Sequence, residues 1–403
     1  MNPSKEGLNT ITMRNKIGYT YLSLATFALS LVVSCSDDDP VPLRDPSKSS
    51  VDNQVILWDA VADSIQTATY DSYIGSEGTF DANMGSGVYG NYWPNAHGLH
   101  ILVDGYIRTS DATYLSKMKD LLVGIESKNG GTYTNVFNDD MLWLGNACVR
   151  AFKATNDPKY KEVAEFLWND ILLSHSDVLG GGITWKKDTP NLKNAVSNGP
   201  AIILAMRLYE LDQNAAYLDW AKTLYTWEKE HLVDPQTELV WDNIRLEDDG
   251  TITIQKDWIF TYNVGTWIGA GLRLYEATGE QLYLENSLRA GRSLLKSPAL
   301  TTSGILKDEG QGDGGLFKGV LIRYFTELIL QEDISENDRE EFLKFFEFNA
   351  RTFYKYGLSH PGMLSSSDWS KAPKEPTDLT TQLSGVMLVE AAAKLESNGY
   401  FKD

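Results

Sequence analysis

The sequence predicts an all-α fold: a double ring of about six helical hairpins. Three observations predict it. Apolar residues recur at helical spacing from 53 to 397, while strand patterns are few. Short and long connections alternate along the chain. Helices entered from long connections also differ in kind from those entered from short ones.

Taken in order, about twelve helices are expected, near 53–72, 93–109, 111–126, 139–155, 157–173, 195–211, 214–230, 262–278, 280–297, 317–331, 335–356 and 378–396. The short connections resemble one another. Thr109-Ser110-Asp111, Thr155-Asn156-Asp157, Leu211-Asp212-Gln213-Asn214 and Thr278-Gly279-Glu280 each end one helix and start the next. Each is followed by a tyrosine on the new first turn: Tyr114, Tyr160, Tyr217 and Tyr283. Such self-similarity marks stacked helical hairpins. The long connections are 74–92, 127–138, 174–193, 232–260, 297–316 and 357–377. In a ring of antiparallel helices, all the short turns then fall on one end and all the long loops on the other. Long loops on a rigid scaffold are where function usually lies.

The helices that follow long loops (196–209, 262–275, 319–330, 383–393) are rich in Gly and Ala and nearly uncharged. Gly145, Gly199, Gly265, Gly269, Gly319 and Gly385 cost helix propensity in water. They suit helices crowded on every side, which makes these the inner ring. Their partners (114–126, 159–170, 217–230, 336–354) are charged and amphipathic, as an outer ring requires. The one strand pair expected is Leu239-Val240-Trp241 with Thr251-Ile252-Thr253-Ile254, around the turn Asp248-Asp249-Gly250.

The helical domain is expected over 51–403. Residues 1–34 read as a secretory signal peptide: Arg14 and Lys16 precede an apolar run from Tyr19 to Val33, ending Val32-Val33-Ser34-Cys35. This resembles a lipoprotein leader with Cys35 as the lipidated residue. The acids Asp37, Asp38 and Asp39 resemble the surface-export signal of Bacteroides-type lipoproteins. Residues 35–50, polar and Pro-containing, read as a tether. An outer-membrane lipoprotein at the cell surface or in the periplasm is therefore expected, touching membrane only through its lipid. The other cysteine, Cys148, falls inside an apolar helix and reads as a small buried hydrophobe, so no disulfide framework is proposed. A net charge of -19 argues against nucleic acid as a partner.

All inner helices start at the loop-rich end, so the residues on their first turns converge on one mouth. They form a polar set: Trp93, Asn95 and His97; Asp139 and Asp140; Lys193, Asn194 and Asn198; Thr261, Tyr262 and Asn263; Lys318; Thr381 and Gln382. Taken singly, each reads as a cap or a satisfied polar group, and Asn138 reads as an N-cap. The adjacent acids Asp139-Asp140 are the only such pair among them. Two carboxyls this close cannot both ionise as easily as one, so their titrations are coupled and pushed apart, as glycoside cleavage requires. Trp93, Trp185, Trp241, Trp258 and Trp369 lie in or beside long loops and are candidate stacking platforms for sugar rings. His97 and His100 have no third ligand in view, so no metal and no cofactor are expected.

Asn138-Asp139-Asp140-Met141-Leu142-Trp143, Gly180-Gly181-Gly182-Ile183-Thr184-Trp185, Lys193-Asn194-Ala195-Val196-Ser197-Asn198-Gly199, Thr261-Tyr262-Asn263-Val264-Gly265 and Phe317-Lys318-Gly319-Val320 together resemble glycoside hydrolase family 76. The resemblance covers roughly 53–395. It implies an (α/α)6 barrel and an endo-α-1,6-mannanase, with Asp139 as nucleophile and Asp140 as acid/base. Trp93, His97, Trp185, Asn194, Asn198, Tyr262, Asn263 and Lys318 are the expected substrate contacts. Two positions depart from the family pattern: Met141 stands where Glu is common after the pair, and Val264 where Gln is common. The expected substrate is an α-mannan poly- or oligosaccharide, and the expected state a monomer. The alternatives are a non-catalytic glycan-binding surface lipoprotein and an α-mannoside transglycosylase of the same fold. Retaining enzymes hold their carboxyls about 5–5.5 Å apart, inverting ones about 6.5–9.5 Å. Adjacent Cα atoms lie about 3.8 Å apart, and successive helical side chains diverge by roughly 100°. That geometry favours retention.

Overall fold

The computed structural model describes residues 55–401; the expected leader, Cys35 and tether lie outside the described residues. Twelve α-helices occur among the described residues: α1 Trp58–Tyr73, α2 Tyr92–Thr109, α3 Thr113–Lys128, α4 Asn138–Thr155, α5 Pro158–Leu172, α6 Ala195–Asp212, α7 Ala215–His231, α8 Thr261–Thr278, α9 Gln281–Lys296, α10 Gly314–Leu330, α11 Glu336–Thr352 and α12 Leu379–Ser397. The even-numbered helices pack in succession, and α12 returns to α2, closing an inner ring of six. The odd-numbered helices clothe it. This is the (α/α)6 arrangement expected from the alternation of loops.

Burial separates the two rings. In α6 every residue from Ala195 to Leu208 is buried. In α3 only one face is, through Tyr114, Met118, Leu121, Leu122, Gly124 and Ile125. The inner glycines are steric requirements. A Cβ on Gly265 would lie 2.6 Å from the Cα of Leu321 on α10, and one on Gly319 would lie 2.8 Å from the Cα of Ser384 on α12. There the helices meet backbone to backbone.

The four similar turns share one geometry. α2, α4, α6 and α8 end in a left-handed residue, Ser110, Asn156, Gln213 or Gly279, with φ of 57°, 58°, 58° and 71°. Each donates its N–H to the carbonyl four residues back, as left-handed helix caps do. The tyrosines that follow pack inward, Tyr217 only partly. The Tyr114 ring fills the space over Gly105, where a Cβ would come within 2.5 Å of Cζ.

Several boundaries differ from expectation. α1 starts at Trp58, because the Glu396 carboxylate on α12 accepts from the amides of Trp58 and Asp59, both at 3.4 Å, and caps the helix there. α10 starts three residues early, at Gly314. A side chain at Gly315 would meet Thr381 Oγ1 at 2.4 Å, so glycine lets this turn nestle against α12. The hairpin's first strand is β2, Asn243–Leu246, not 239–241. It pairs antiparallel with β3, Ile252–Ile254, and with β1, Leu192–Asn194. Leu239 and Val240 look strand-like because they are core residues. A second small ribbon joins β4, Thr301–Thr302, to β5, Ile305–Leu306, across Ser303-Gly304, both at positive φ. Asn138 is the first helical residue rather than the cap, and Phe137 holds the cap position. Cys148 is free and buried. No helix among the described residues is long and apolar enough to cross a membrane.

Candidate active site

The loop end of the inner ring opens into a cleft of about 640 Å³. The first turns of α4 supply Asp139, Asp140 and Trp143. α2 and its approach supply Asn91 and Trp93. Trp185 comes from the loop after α5, and Asn194 from the end of β1. Tyr262 and Phe317 come from α8 and α10, and Asp313 from just before α10.

The inner-helix polar set does two jobs, and the more common one is to anchor loops. Asn95 holds Phe80 N and O. Asn138 donates to Thr184 O. Asn198 holds both Ile183 N and O and also donates to Asn194 O. Lys193 Nζ donates to Ser176 O, Val178 O and Gly181 O. Lys318 Nζ donates to Ser367 O. Gln382 accepts from Ser365 N and donates to Met363 O. In each case a residue of an inner helix, or for Lys193 of the strand β1 leading into one, ties down the backbone of a long loop, whose polar groups would otherwise be buried unpaired.

Of the expected substrate contacts, Trp93, Trp185, Asn194 and Tyr262 line the cleft with the acid pair. His97, Asn198, Asn263 and Lys318 do not, and the expectation of direct contact is corrected for these four. The amide of Asn198 and the ammonium of Lys318 are committed to loop carbonyls. Asn263 donates to Asp242 Oδ1 at 3.0 Å, behind the cleft wall. His97 is 1% exposed and lies under the floor, its ring 4.8 Å from Trp143 and 5.7 Å from Trp93. Burial holds it well below the ordinary imidazole range, so it is neutral. The two departures from the family pattern, Met141 and Val264, are core residues and face away from the cleft.

The two central acids have different surroundings. Asp139 Oδ2 accepts from Trp185 Nε1 at 3.3 Å, and Oδ1 is enclosed at the helix start. Burial pushes its carboxyl up to about 7, against the Trp185 indole and the amides of residues 139 and 140, which favour the anion. Asp140 is 9% exposed and accepts from Asn135 Nδ2 at 3.1 Å. It is raised well above the ordinary carboxylate range by burial, then by the charge of Asp139 and that of Asp313. Helix start and indole favour ionisation of the first acid, while burial and its neighbours keep the second protonated. Glu309, which accepts from Thr261 N at 2.9 Å and from Thr261 Oγ1, fixes the start of α8 and thereby Tyr262. The Tyr262 ring stacks on Phe317 at 3.9 Å and 4°.

Trp258 joins Trp93 and Trp185 in the cleft and is 52% exposed. Trp241 lies outside the lining, under Lys256. Trp369 is fully buried against Phe353 and is no platform. Sequence reasoning missed Asp242 and Asp313. Asp242 accepts from Tyr262 OH at 3.2 Å, and Asp313 accepts from Trp93 Nε1 at 3.3 Å. Asp313 precedes an inner helix much as Asp139 begins one, but that signal was hidden by starting α10 at 317. No cluster of three or more His, Cys, Asp or Glu suited to a metal ion occurs among the described residues.

The sequence profile of Glycosyl hydrolase family 76 matches residues 58–402. The chain belongs to this family. Among solved family 76 structures, it is 54% identical to the α-1,6-mannanase of Salegentibacter sp., with a TM-score of 0.82 over 84% of this chain and 99% of that one. A variant of that enzyme with two consecutive aspartates changed to asparagine is inactive and has been solved with α-1,6-mannotriose; it is 53% identical to this chain, with the same TM-score and coverage. A mannan endo-1,6-alpha-mannosidase of Candida glabrata is 28% identical over 236 residues, 54% of this chain and 52% of that protein. The match thus spans about half the length of that relative.

Proposed function

We propose that this family 76 protein is a retaining, endo-acting glycosidase that cleaves α-1,6-mannan backbones. The observation that carries the reading is the pair Asp139-Asp140: two carboxyls at one inner-helix start, in one cleft, both raised above the ordinary range by burial, with the indole and helix amides favouring the anion at Asp139 and the neighbouring acids holding the proton on Asp140. The Salegentibacter relative, inactive without its own consecutive aspartates and bound to an α-1,6-linked oligosaccharide, supports the substrate. Asp139 acts through Oδ2, since Oδ1 is enclosed. That oxygen attacks the anomeric carbon as the bond to the leaving O6 breaks, and Asp140 gives O6 its proton. Asp140, now a carboxylate, takes a proton from water. The water oxygen then attacks the anomeric carbon and frees Asp139, restoring both groups. Trp93, Trp185 and Trp258 offer flat faces to the sugar rings.

Incubation with unbranched α-1,6-mannan tests the reading. Shortened oligosaccharides are expected, with the α anomer appearing first by NMR. A β product appearing first rules out retention, and binding without cleavage points to a glycan-binding protein instead. Asp139→Asn and Asp140→Asn are each expected to lower turnover by roughly 10²–10⁴-fold with mannotriose binding kept. Turnover within a few fold of the parent would reduce the pair to helix-starting residues.

We also propose that Cys35 carries lipid and anchors the protein at the outer membrane. Support comes from the charged start, apolar run and Val-Val-Ser-Cys ending. Cys35→Ala is expected to release the protein from the membrane fraction; unchanged partition would refute the anchor.

A further inference from the structure

One residue of the cleft is out of keeping with the others. Four carboxyls line it: Asp139, Asp140, Asp242 and Asp313. It has a single cationic lining residue, Arg245. Every other arginine among the described residues has a carboxylate partner. Arg245 has neither a salt bridge nor a side-chain hydrogen bond there. The cleft acids meanwhile have other partners: Trp185, Asn135, Tyr262 with Asn263, and Trp93. The guanidinium is thus held in an acidic cleft without being neutralised by it.

Its placement is built rather than incidental. Arg245 sits in the middle strand of the three-stranded sheet, opposite Leu192 on β1 and Thr253 on β3. Ile244 is buried on the far face, so Asn243 and Arg245 turn together toward the cleft. Two residues along a strand advance it by roughly 7 Å. In register, Asn243 lies opposite Asn194 at the start of α6 and Arg245 opposite Leu192, two residues before it, so Arg245 lies farther along the sheet from the inner-helix start. Trp258, more than half exposed, lines the same cleft.

We propose that Arg245 and Trp258 form an outer subsite for a mannan unit bearing an anionic substituent, a phosphate or a carboxylate. A neutral sugar needs a flat ring face and hydrogen-bond groups, which the asparagines and tryptophans already supply. A formal cation left unpaired among four acids fits a ligand that brings its own charge. The planar guanidinium matches the paired oxygens of phosphate or carboxylate, and Trp258 covers the sugar's apolar face. Elsewhere the acidic lining repels anions, so the subsite also sets where along the backbone a substituted unit is accepted. The inference rests on the mannanase reading and names a substrate class within it.

The test compares three substrates: α-1,6-mannotetraose, the same tetraose with one phosphate, and the same tetraose with one uronic acid unit. Wild-type protein must first cleave the neutral tetraose, and failure there sinks the mannanase reading rather than the subsite. The measured quantity is the ratio of kcat/KM on a charged substrate to that on the neutral one. Arg245→Met is expected to lower that ratio about tenfold for the phosphate arm, the carboxylate arm, or both, which identifies the anion. Arg245→Lys is expected to recover part of the loss, and added salt to narrow the difference. A ratio unchanged from wild type in both arms overturns the proposal, whether neutral cleavage falls or not. Binding of the three oligosaccharides to the Asp139→Asn, Asp140→Asn protein repeats the comparison without turnover. Equal loss of affinity for charged and neutral ligands on adding Arg245→Met would make Arg245 a hydroxyl-binding residue and refute the charge reading.

Discussion

Asp313 shows how a residue outside the acid pair adds, after burial, to the pH at which the pair works. Its charge raises both Asp139 and Asp140. Replacing it with asparagine removes that charge while leaving an oxygen for the Trp93 indole. Both carboxyls should then titrate lower. The pH profile of kcat/KM, which reports the free enzyme, is expected to be bell-shaped, with its acidic limb above the ordinary carboxylate range and near 7, where Asp139 lies. Asp313→Asn is expected to move both limbs to lower pH; a profile that stays in place would mean the third acid is electrically remote. The central acids themselves were legible in the sequence, because adjacency at a helix start is a one-dimensional pattern. Asp313, Asp242 and Arg245 were not, because each enters the cleft through a loop or strand whose register depends on packing. His97, Asn198, Asn263 and Lys318 were assigned to the right end of the barrel but the wrong layer. A residue on a helix's first turn can point at the ligand or at the loop beside it, and sequence does not distinguish the two.

At the scale of elements, the alternation of glycine-rich and charged helices was the most readable feature, and its cause is contact distance. α8 and α10 approach so closely at Gly265 that a methyl group there would meet the Cα and N of Leu321. Neither is the end of a flexible side chain that can swing away. Gly265→Ala is therefore expected to destabilise the protein by about 1–3 kcal/mol despite alanine's better helix propensity, read as a fall in the denaturation midpoint. A midpoint that rises would mean that the ring relaxes there. Helix ends were less legible than helix existence. α1 begins where a glutamate from the far end of the chain caps it, a contact separated by 338 positions that no local pattern contains.

Across the whole molecule, the balance of buried acids sets the response to pH. Asp104 and Glu327 face arginines and are lowered, whereas Glu228, Glu309 and Glu390 are raised by burial. Glu228 is the clearest case: it is fully buried, and neither carboxyl oxygen has a hydrogen-bond partner among the described residues. A carboxyl raised in the folded state holds its proton there after the unfolded chain has released its own. Stability therefore falls as pH rises above the unfolded value of roughly 4.3. Glu228→Gln, which cannot ionise, is expected to flatten the fall in melting temperature between pH 5 and 8. Parallel slopes for parent and variant would show that Glu228 finds a partner when ionised.

The seam where α12 meets α1 and α2 has a consequence in time. The last helix fills the inner ring, and Glu396 and Glu390 on it bind the start of α1, Arg108 of α2 and Gln66 of α1. Whether the chain emerges from a ribosome or from an export channel, α1 precedes the other described helices and α12 follows them, so α1 waits for the helix it packs against most extensively. Until α12 arrives, the inner ring is an open arc with an unsheltered edge between α10 and α2. A chain cut short inside α12 is left as a ring with a gap rather than as a smaller closed barrel.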